Sequence, residues 1–192
     1  MDAGLDTVSD KYDVPEDVER QIKNQLRLFL EERNQWNIEK NLEELLNLGG
    51  GFVDRLNFLV PELSSKNKLR LLVSGCSVGS ELIIARNHGF ESVTGTEVVP
   101  EYVDIAIKRT AHIPKIDCLS YDGQKLPFSD GQFTCVISGH IIEHTPSPFS
   151  YFREHLRVLD EGGIFFLEFP DRYHPVELHT GTRSFEFLPW PF

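Results

Sequence analysis

The chain has 192 residues, of which 40% are apolar and 26% are charged, a composition typical of a globular domain. Its formal net charge of −11 disfavours a long phosphate backbone or an anionic membrane as partner, so we predict neither nucleic-acid binding nor membrane insertion. The cysteines Cys76, Cys118 and Cys135 are too widely spaced for a disulfide framework or a zinc site, and with no signal-peptide pattern they predict a cytoplasmic protein.

The first 62 residues divide into an acidic tail and a helical extension. Residues 1–14 are polar and acidic, which predicts a flexible tail. Beyond them, apolar residues recur at spacings of three and four, the pattern of amphipathic helices. One stripe comprises Val18, Ile22, Leu26, Phe29 and Leu30, and the other comprises Ile38, Leu42, Leu45 and Leu46. Glycines end the second stripe at 49–51 and an apolar stretch follows at 52–60, so we predict that residues 15–62 form a helical extension or lid.

Strand-like and helix-like segments alternate over residues 63–192, which we assign to one domain. The predicted strands are 69–74, 92–97, 116–120, 132–138 and 164–169, the predicted helices are 80–87, 101–110 and 148–159, and 160–163 is a predicted turn. This alternation is typical of an α/β, Rossmann-like fold with helices on both faces of a mostly parallel sheet. The predicted strand order is 3-2-1-4-5.

The turn after the first strand is the first candidate binding site. Gly75 and Gly79 bracket it and allow the backbone to turn tightly and approach a ligand. A ligand there would meet free backbone N–H groups at a helix N-terminus. A tight strand–helix turn without a ligand is the alternative.

Acidic residues follow the next two strands. Glu97 ends the second strand, 22 residues after Gly75, where a carboxylate accepts hydrogen bonds from ribose hydroxyls. Asp122 follows the third strand, where it could accept a hydrogen bond from an adenine amino group or form an Asx turn.

Taken in order, these segments and the two after them resemble class I S-adenosylmethionine (SAM)-dependent methyltransferases of the small-molecule branch. In that family a glycine turn, two acids, a Leu-Pro-Phe segment, an apolar pair before Glu-His, and Arg-Val-Leu before Gly-Gly follow one another. Here these are Gly75 to Gly79, Glu97, Asp122 with Leu126-Pro127-Phe128, Ile141-Ile142-Glu143-His144, Arg157-Val158-Leu159 and Gly162-Gly163. The resemblance covers about half of the chain.

The resemblance implies SAM as cofactor and an unidentified small-molecule acceptor, such as a sugar, a lipid-linked intermediate or a natural product. The implied cofactor-binding residues are Gly75, Cys76, Ser77, Gly79, Glu97, Val98, Asp122, Gly123 and Ser138. Among them Glu97 would hold the ribose, Asp122 and Gly123 would flank the adenine, and Ser138 would lie near the sulfonium.

The sequence departs from the family pattern in three places. Val73 stands where the family often has an acid, and Ser77 stands where it has the middle glycine. Only five strands are evident, so we expect a fragment or a truncated relative of such a domain.

Histidines follow the fourth strand, at the sheet edge where ligands bind in this class of fold. If the acceptor is a hydroxyl, we predict His144, and after it His140, as the general base, although hydrogen-bonded structural roles are the alternative. The same stretch matches the H-x-x-E-H zinc-protease pattern, but we predict no metal. Residues 171–192, with His174 and His179, are a predicted substrate-facing loop, and a surface loop with buried aromatic residues is the alternative; residues 184–188 are a candidate sixth strand.

Two other functions stay open. An NAD-dependent oxidoreductase would share the glycine turn and Glu97 but typically shows G-x-G-x-x-G. A methyltransferase-like binding or scaffold protein without catalysis would account for Val73. The oligomeric state is also open.

Overall fold

The computed structural model describes residues 12–63 and 66–170, and its centre is one sheet of five parallel strands. The strands are β1 (Arg70–Ser74), β2 (Ser92–Glu97), β3 (Ile116–Ser120), β4 (Phe133–Gly139) and β5 (Leu159–Glu168). Their order is β3-β2-β1-β4-β5, which confirms the predicted fold class and strand order. The predictions for residues 171–192, including His174, His179 and the sixth strand, lie outside the described residues.

Six helices accompany the sheet in the described part of the chain. They are α1 (Glu16–Glu32), α2 (Ile38–Leu46), α3 (Gly51–Glu62), α4 (Ser80–Asn87), α5 (Pro100–Thr110) and α6 (Pro148–Val158). A short 3-10 turn, Ile142–His144, follows β4. None of these helices is long and apolar enough to span a bilayer.

Two apolar layers cover the two faces of the sheet. Alternate residues of a strand point to opposite faces, so Leu71 and Val73 of β1 pack in the layer that contains α3, α4 and α5. Leu72 packs in the other layer, with Val136 of β4 and Val158 of α6. Helix α3 is therefore part of the main core.

Helices α1 and α2 pack against each other, against the glycine turn and against α5. Their core contains Leu26 and Leu42 together with Val78 of the glycine turn and Ile105 of α5. Residues 12–14, which the sequence assigns to the tail, also contact the domain, since the Tyr12 N–H donates to Asn87 and Val14 is buried.

The predicted turn at 160–163 is wrong, because those residues belong to β5. Pairing advances from Phe133–Leu159 to Cys135–Ile164, so two steps along β4 match five along β5. Gly162 takes a positive φ of 67° within this irregularity. A bulge resembles a turn in composition because both need glycine and polar residues.

Candidate functional site

The glycine turn joins β1 to α4 at the carboxyl edge of the sheet. Gly75 and Gly79 have φ angles of 80° and 85°, and a Cβ on Gly75 would clash with Cδ1 of Ile141. Ser77, in place of the middle glycine, keeps a positive φ of 47°. Only glycine adopts such angles without strain, so the backbone at positions 75 and 79 requires the glycines that the sequence has there.

Glu97 is buried beside this turn and ties it to the end of β2. Its Oε2 accepts a hydrogen bond from the Ser77 N–H at 2.9 Å, and its Oε1 accepts from Val98 at 2.7 Å and Val99 at 3.0 Å. Only 8% of the residue is exposed. The carboxylate oxygens can each accept two hydrogen bonds, so Oε2 retains capacity for one more donor.

The expectation of free backbone N–H groups in the turn is wrong for most of it. The amides of Gly75 and Cys76 both donate to the Thr96 carbonyl, at 2.8 and 3.0 Å, and the Gly79 amide donates to the Cys76 carbonyl. The Cys76 thiol also points inward and lies 3.5 Å from the Cys118 sulfur. The hydrogen bond with Cys118 and burial raise the pKa of the Cys76 thiol, and its side chain is part of the core.

Ser138, predicted near the sulfonium, has its hydroxyl inside the core. The residue is fully buried, and its Oγ hydrogen-bonds with the Tyr151 hydroxyl at 2.8 Å. Tyr151 donates to Ser74 at 2.9 Å, and Nε2 of His155 lies 2.9 Å from the same serine oxygen. Burial lowers the pKa of His155, so this network joins β1, β4 and α6 with a neutral imidazole.

Asp122 forms an Asx turn, which was one of its two interpretations. Its Oδ1 accepts from the Gln124 N–H at 2.9 Å, and the residue is exposed. The Leu-Pro-Phe segment that follows is held by Arg157, which donates to the carbonyls of Leu126 at 3.1 Å and Phe128 at 2.8 Å. Arg157 thus supports the loop that carries Asp122 and Gly123.

The histidines after β4 lie on the surface of the same edge. The side chains of His140 and His144 are 42% and 61% exposed. Nε2 of His140 lies 3.2 Å from Glu168 at the end of β5. His140 has a φ of 56°, and only a 3-10 turn follows it, so the helical face that the zinc-protease pattern requires is not formed.

An arginine that sequence reasoning missed reaches this edge from the helical extension. Nε of Arg55, on α3, lies 2.7 Å from Glu168, and its Nη1 lies 3.6 Å from Glu81 at the start of α4. Its guanidinium passes over Gly139 of β4. The signal in the sequence was a lone basic residue inside the apolar stretch at 52–60.

A second missed arginine lies beneath the glycine turn. Arg109 of α5 is fully buried and donates to the Val78 carbonyl at 3.1 Å and to Ser80 Oγ at 2.7 Å. It also donates to Leu46 of α2, and its Nε lies 3.5 Å from Glu19 of α1. Burial lowers its pKa, although Glu19 opposes that effect. The signal was an arginine on the apolar face of a helix.

We expect Glu81 to make the protein less stable as the pH rises from 4.5 to 7. Burial raises the pKa of Glu81 to about 7, and Glu168 adds to the rise while Arg55 opposes it. The unfolded chain releases the proton near pH 4.5, so the native state binds more protons between these values and the free energy of unfolding falls. Because 33% of the side chain is exposed, the expected loss is only about 1 kcal/mol.

Urea denaturation of wild type and Glu81→Gln across this pH range measures the effect, and the difference between them isolates Glu81 from the histidines. The hydrogen bond with Lys115 lowers the pKa of the exposed Glu91. The stability that Glu91 contributes is therefore lost only as the pH falls below the ordinary pKa of a glutamate. Glu91→Gln should therefore keep the wild-type decline. Parallel curves for wild type and Glu81→Gln would contradict the assignment.

Known proteins are similar to this chain in sequence. The sequence profile of the family described as "Methyltransferase domain" matches residues 72–167, half of the chain. The 2-methyl-6-phytyl-1,4-hydroquinone methyltransferase of Synechocystis sp. is 35% identical over 91 residues, which cover 47% of this chain and 28% of that protein. Cycloartenol-C-24-methyltransferase 1 of Oryza sativa subsp. japonica is 29% identical over 126 residues, covering 62% and 36%. The chain spans about a third of the length of these relatives.

Solved structures share the fold at lower identity. The [4+2]-cyclase SpnF superposes with a TM-score of 0.54 at 24% identity, over 60% of this chain and 43% of that one. An S-adenosylmethionine-dependent methyltransferase from Mesorhizobium loti gives 0.53 at 24%, over 63% and 55%. The strand order, the glycine turn and the profile match agree, and this chain belongs to the methyltransferase domain family.

Proposed function

We propose that this chain binds SAM at the carboxyl edge of its sheet and serves as the cofactor-binding part of a small-molecule methyltransferase. The observation that carries the proposal is the Glu97 carboxylate, which is bound to the glycine turn through Ser77 and keeps capacity for a further donor. A ribose hydroxyl is such a donor. When bound, SAM supplies a methyl group on a sulfonium, which is already a good leaving group.

The residues around the turn fit such a cofactor. A cavity of about 280 Å³ adjoins Gly75, Ser77 and Glu81. The Ser77 hydroxyl is buried and has no hydrogen-bond partner among the described residues. We assign Gly75, Cys76 and Gly79 to the backbone wall of this site, and Val98, Asp122 and Gly123 to the adenosine side. Ser138 would contribute through its main chain, because its hydroxyl is engaged by Tyr151.

The proposed acceptor is a small molecule. The named relatives methylate a prenylated hydroquinone and a sterol carbon, which supports an apolar acceptor of that size for this chain. The chain's own contribution would be to hold the acceptor in line with the methyl group and exclude water. For a hydroxyl acceptor we assign proton removal to His144, the more exposed of the two histidines, whose Nε2 lies 4.0 Å from the Glu143 carboxylate.

Titration calorimetry with SAM, S-adenosylhomocysteine and NAD tests the cofactor. We expect both adenosyl ligands to bind and NAD not to bind; NAD alone would overturn the proposal. In transfer of a labelled methyl group to prenylated hydroquinones and sterols, His144→Gln should lower turnover and leave S-adenosylhomocysteine affinity unchanged. An unchanged rate for that variant would remove His144 from the mechanism.

A methyltransferase-like protein without catalysis is the second candidate, favoured by Val73. This residue is 1% exposed and packs in the core, so position 73 supplies no carboxylate to the site. The fold also occurs in the [4+2]-cyclase SpnF, so fold alone does not specify methyl transfer. Binding of none of the three ligands would favour this candidate.

A further inference from the structure

The cavity beside the glycine turn lies between the helical extension and the sheet. Phe52 and Arg55 of α3 line one side, and Gly75, Ser77 and Glu81 line the other. Its volume of about 280 Å³ equals that of about nine water molecules in the liquid, which is enough for an amino-acid-sized group. The helical extension thus contributes a wall to the site that the sheet alone would leave open.

Charges of both signs face one another in this wall. Arg55 lies between two carboxylates, with Nε 2.7 Å from Glu168 and Nη1 3.6 Å from Glu81. Its Nε is oriented by Glu168, and its Nη1 reaches Glu81 only at 3.6 Å, beyond hydrogen-bond distance. A guanidinium held at one edge in this way presents its remaining donors as a fork suited to a carboxylate.

Two carboxylates line the cavity, Glu44 of α2 and Glu81 of α4, and Glu81 is the one that lies beside Arg55. The Oε1 of Glu81 lies 3.6 Å from Arg55 Nη1, beyond hydrogen-bond distance, so the carboxylate can accept from a further donor. A ligand cation placed beside it would supply one. Val73, by contrast, offers no charge at the position where related sequences often carry an acid.

We propose that Arg55 and Glu81 form a subsite for the amino-acid end of the cofactor, with Arg55 binding the α-carboxylate and Glu81 binding the α-ammonium group. This inference rests on the proposed function and adds residues from α3 and α4 that lie outside the strand-end motifs. Glu168 acts as a positioning residue, because it contacts Arg55 rather than the ligand. The acid missing at Val73 is then replaced by one that α4 supplies from across the turn.

Two ligands that differ in the amino-acid end separate this subsite from the adenosine site. S-adenosylhomocysteine carries the zwitterion, and 5′-methylthioadenosine lacks it. By calorimetry, we expect Arg55→Gln and Glu81→Gln each to weaken S-adenosylhomocysteine binding by about 10- to 100-fold, as loss of one charged contact would. Binding of 5′-methylthioadenosine should change by less than about threefold, which also reports that each variant is folded.

Arg27→Gln is the matched control, since Arg27 is an arginine of the same extension that pairs with Glu39 at the surface, 2.8 Å away. It should bind both ligands as wild type does, and Arg55→Lys should restore part of the lost affinity. Equal losses for both ligands, or no loss for S-adenosylhomocysteine, would overturn the subsite and leave the proposed function intact. A wild-type chain that binds neither ligand would overturn the proposed function and the subsite with it.

Discussion

Replacing Glu97 with alanine is expected to lower the affinity for S-adenosylhomocysteine by about 10- to 100-fold, because one charge-assisted hydrogen bond to a ribose is worth about 1.5–3 kcal/mol. The same change should destabilise the fold. Three backbone N–H groups, from Ser77, Val98 and Val99, would lose their acceptor in a partly buried setting. We expect the free energy of unfolding to fall by about 2–4 kcal/mol, since each unsatisfied group costs about 1–3 kcal/mol and part is recovered by water.

Calorimetry and urea denaturation measure the two effects of Glu97→Ala separately. Glu97→Gln keeps one acceptor oxygen but sets an N–H₂ group against a backbone donor, so it should fall between wild type and alanine in stability. Glu101→Gln removes an exposed acid from the first turn of α5 and is the control. If Glu97→Ala bound S-adenosylhomocysteine within threefold of wild type, Glu97 would have a structural role alone.

Replacing Arg109 with methionine is expected to destabilise the protein by about 3–5 kcal/mol, the usual cost of removing one partner from a buried ionic network. The carbonyls of Val78 and Leu46 and the hydroxyl of Ser80 would lose their donor together. Because these acceptors lie in the glycine turn, in α2 and in α4, the variant should also loosen α1 and α2 from the turn. We therefore expect weaker binding of both adenosyl ligands.

Lys108→Ala is the matched control for Arg109→Met. Lys108 is the preceding residue on α5 and makes one exposed hydrogen bond to Gln25 of α1, at 3.0 Å. Its removal should change the free energy of unfolding by less than about 0.5 kcal/mol. Hydrogen exchange of α1 and α2 amides shows the loosening directly. A loss below about 1 kcal/mol for Arg109→Met, with unchanged exchange, would contradict the role given to this arginine.

The sheet domain was largely predictable because its signals are local. The predicted segments 80–87, 92–97 and 116–120 coincide with α4, β2 and β3. Apolar periodicity and flanking turn residues act over a few positions, and they mark such elements without knowledge of the partner. The error at 160–163 arose where a bulge and a turn share glycine and polar residues.

The candidate site was predictable in position and less so in orientation. Gly75, Glu97 and the Leu126–Phe128 segment lie at the carboxyl edge as the family resemblance implies. The Cys76 and Ser138 side chains point into the core instead, because the face that a strand-end residue presents depends on which layer packs on it. A motif specifies where a residue lies along the chain, but it does not specify the direction in which the side chain points.

The amino-acid sequence by itself determined the order of the helices and strands, the sheet that they form and the family to which the chain belongs, since these follow from short-range patterns. Only the tertiary structure brought Arg55 to Glu81 and Glu168, and Arg109 to Leu46 and Val78. Those partners lie 26 to 113 positions apart along the chain, and no local pattern encodes a pairing that depends on how α2, α3 and α5 pack against the sheet edge. The physical reason is burial, because a charge removed from water must find its partner wherever packing has placed one.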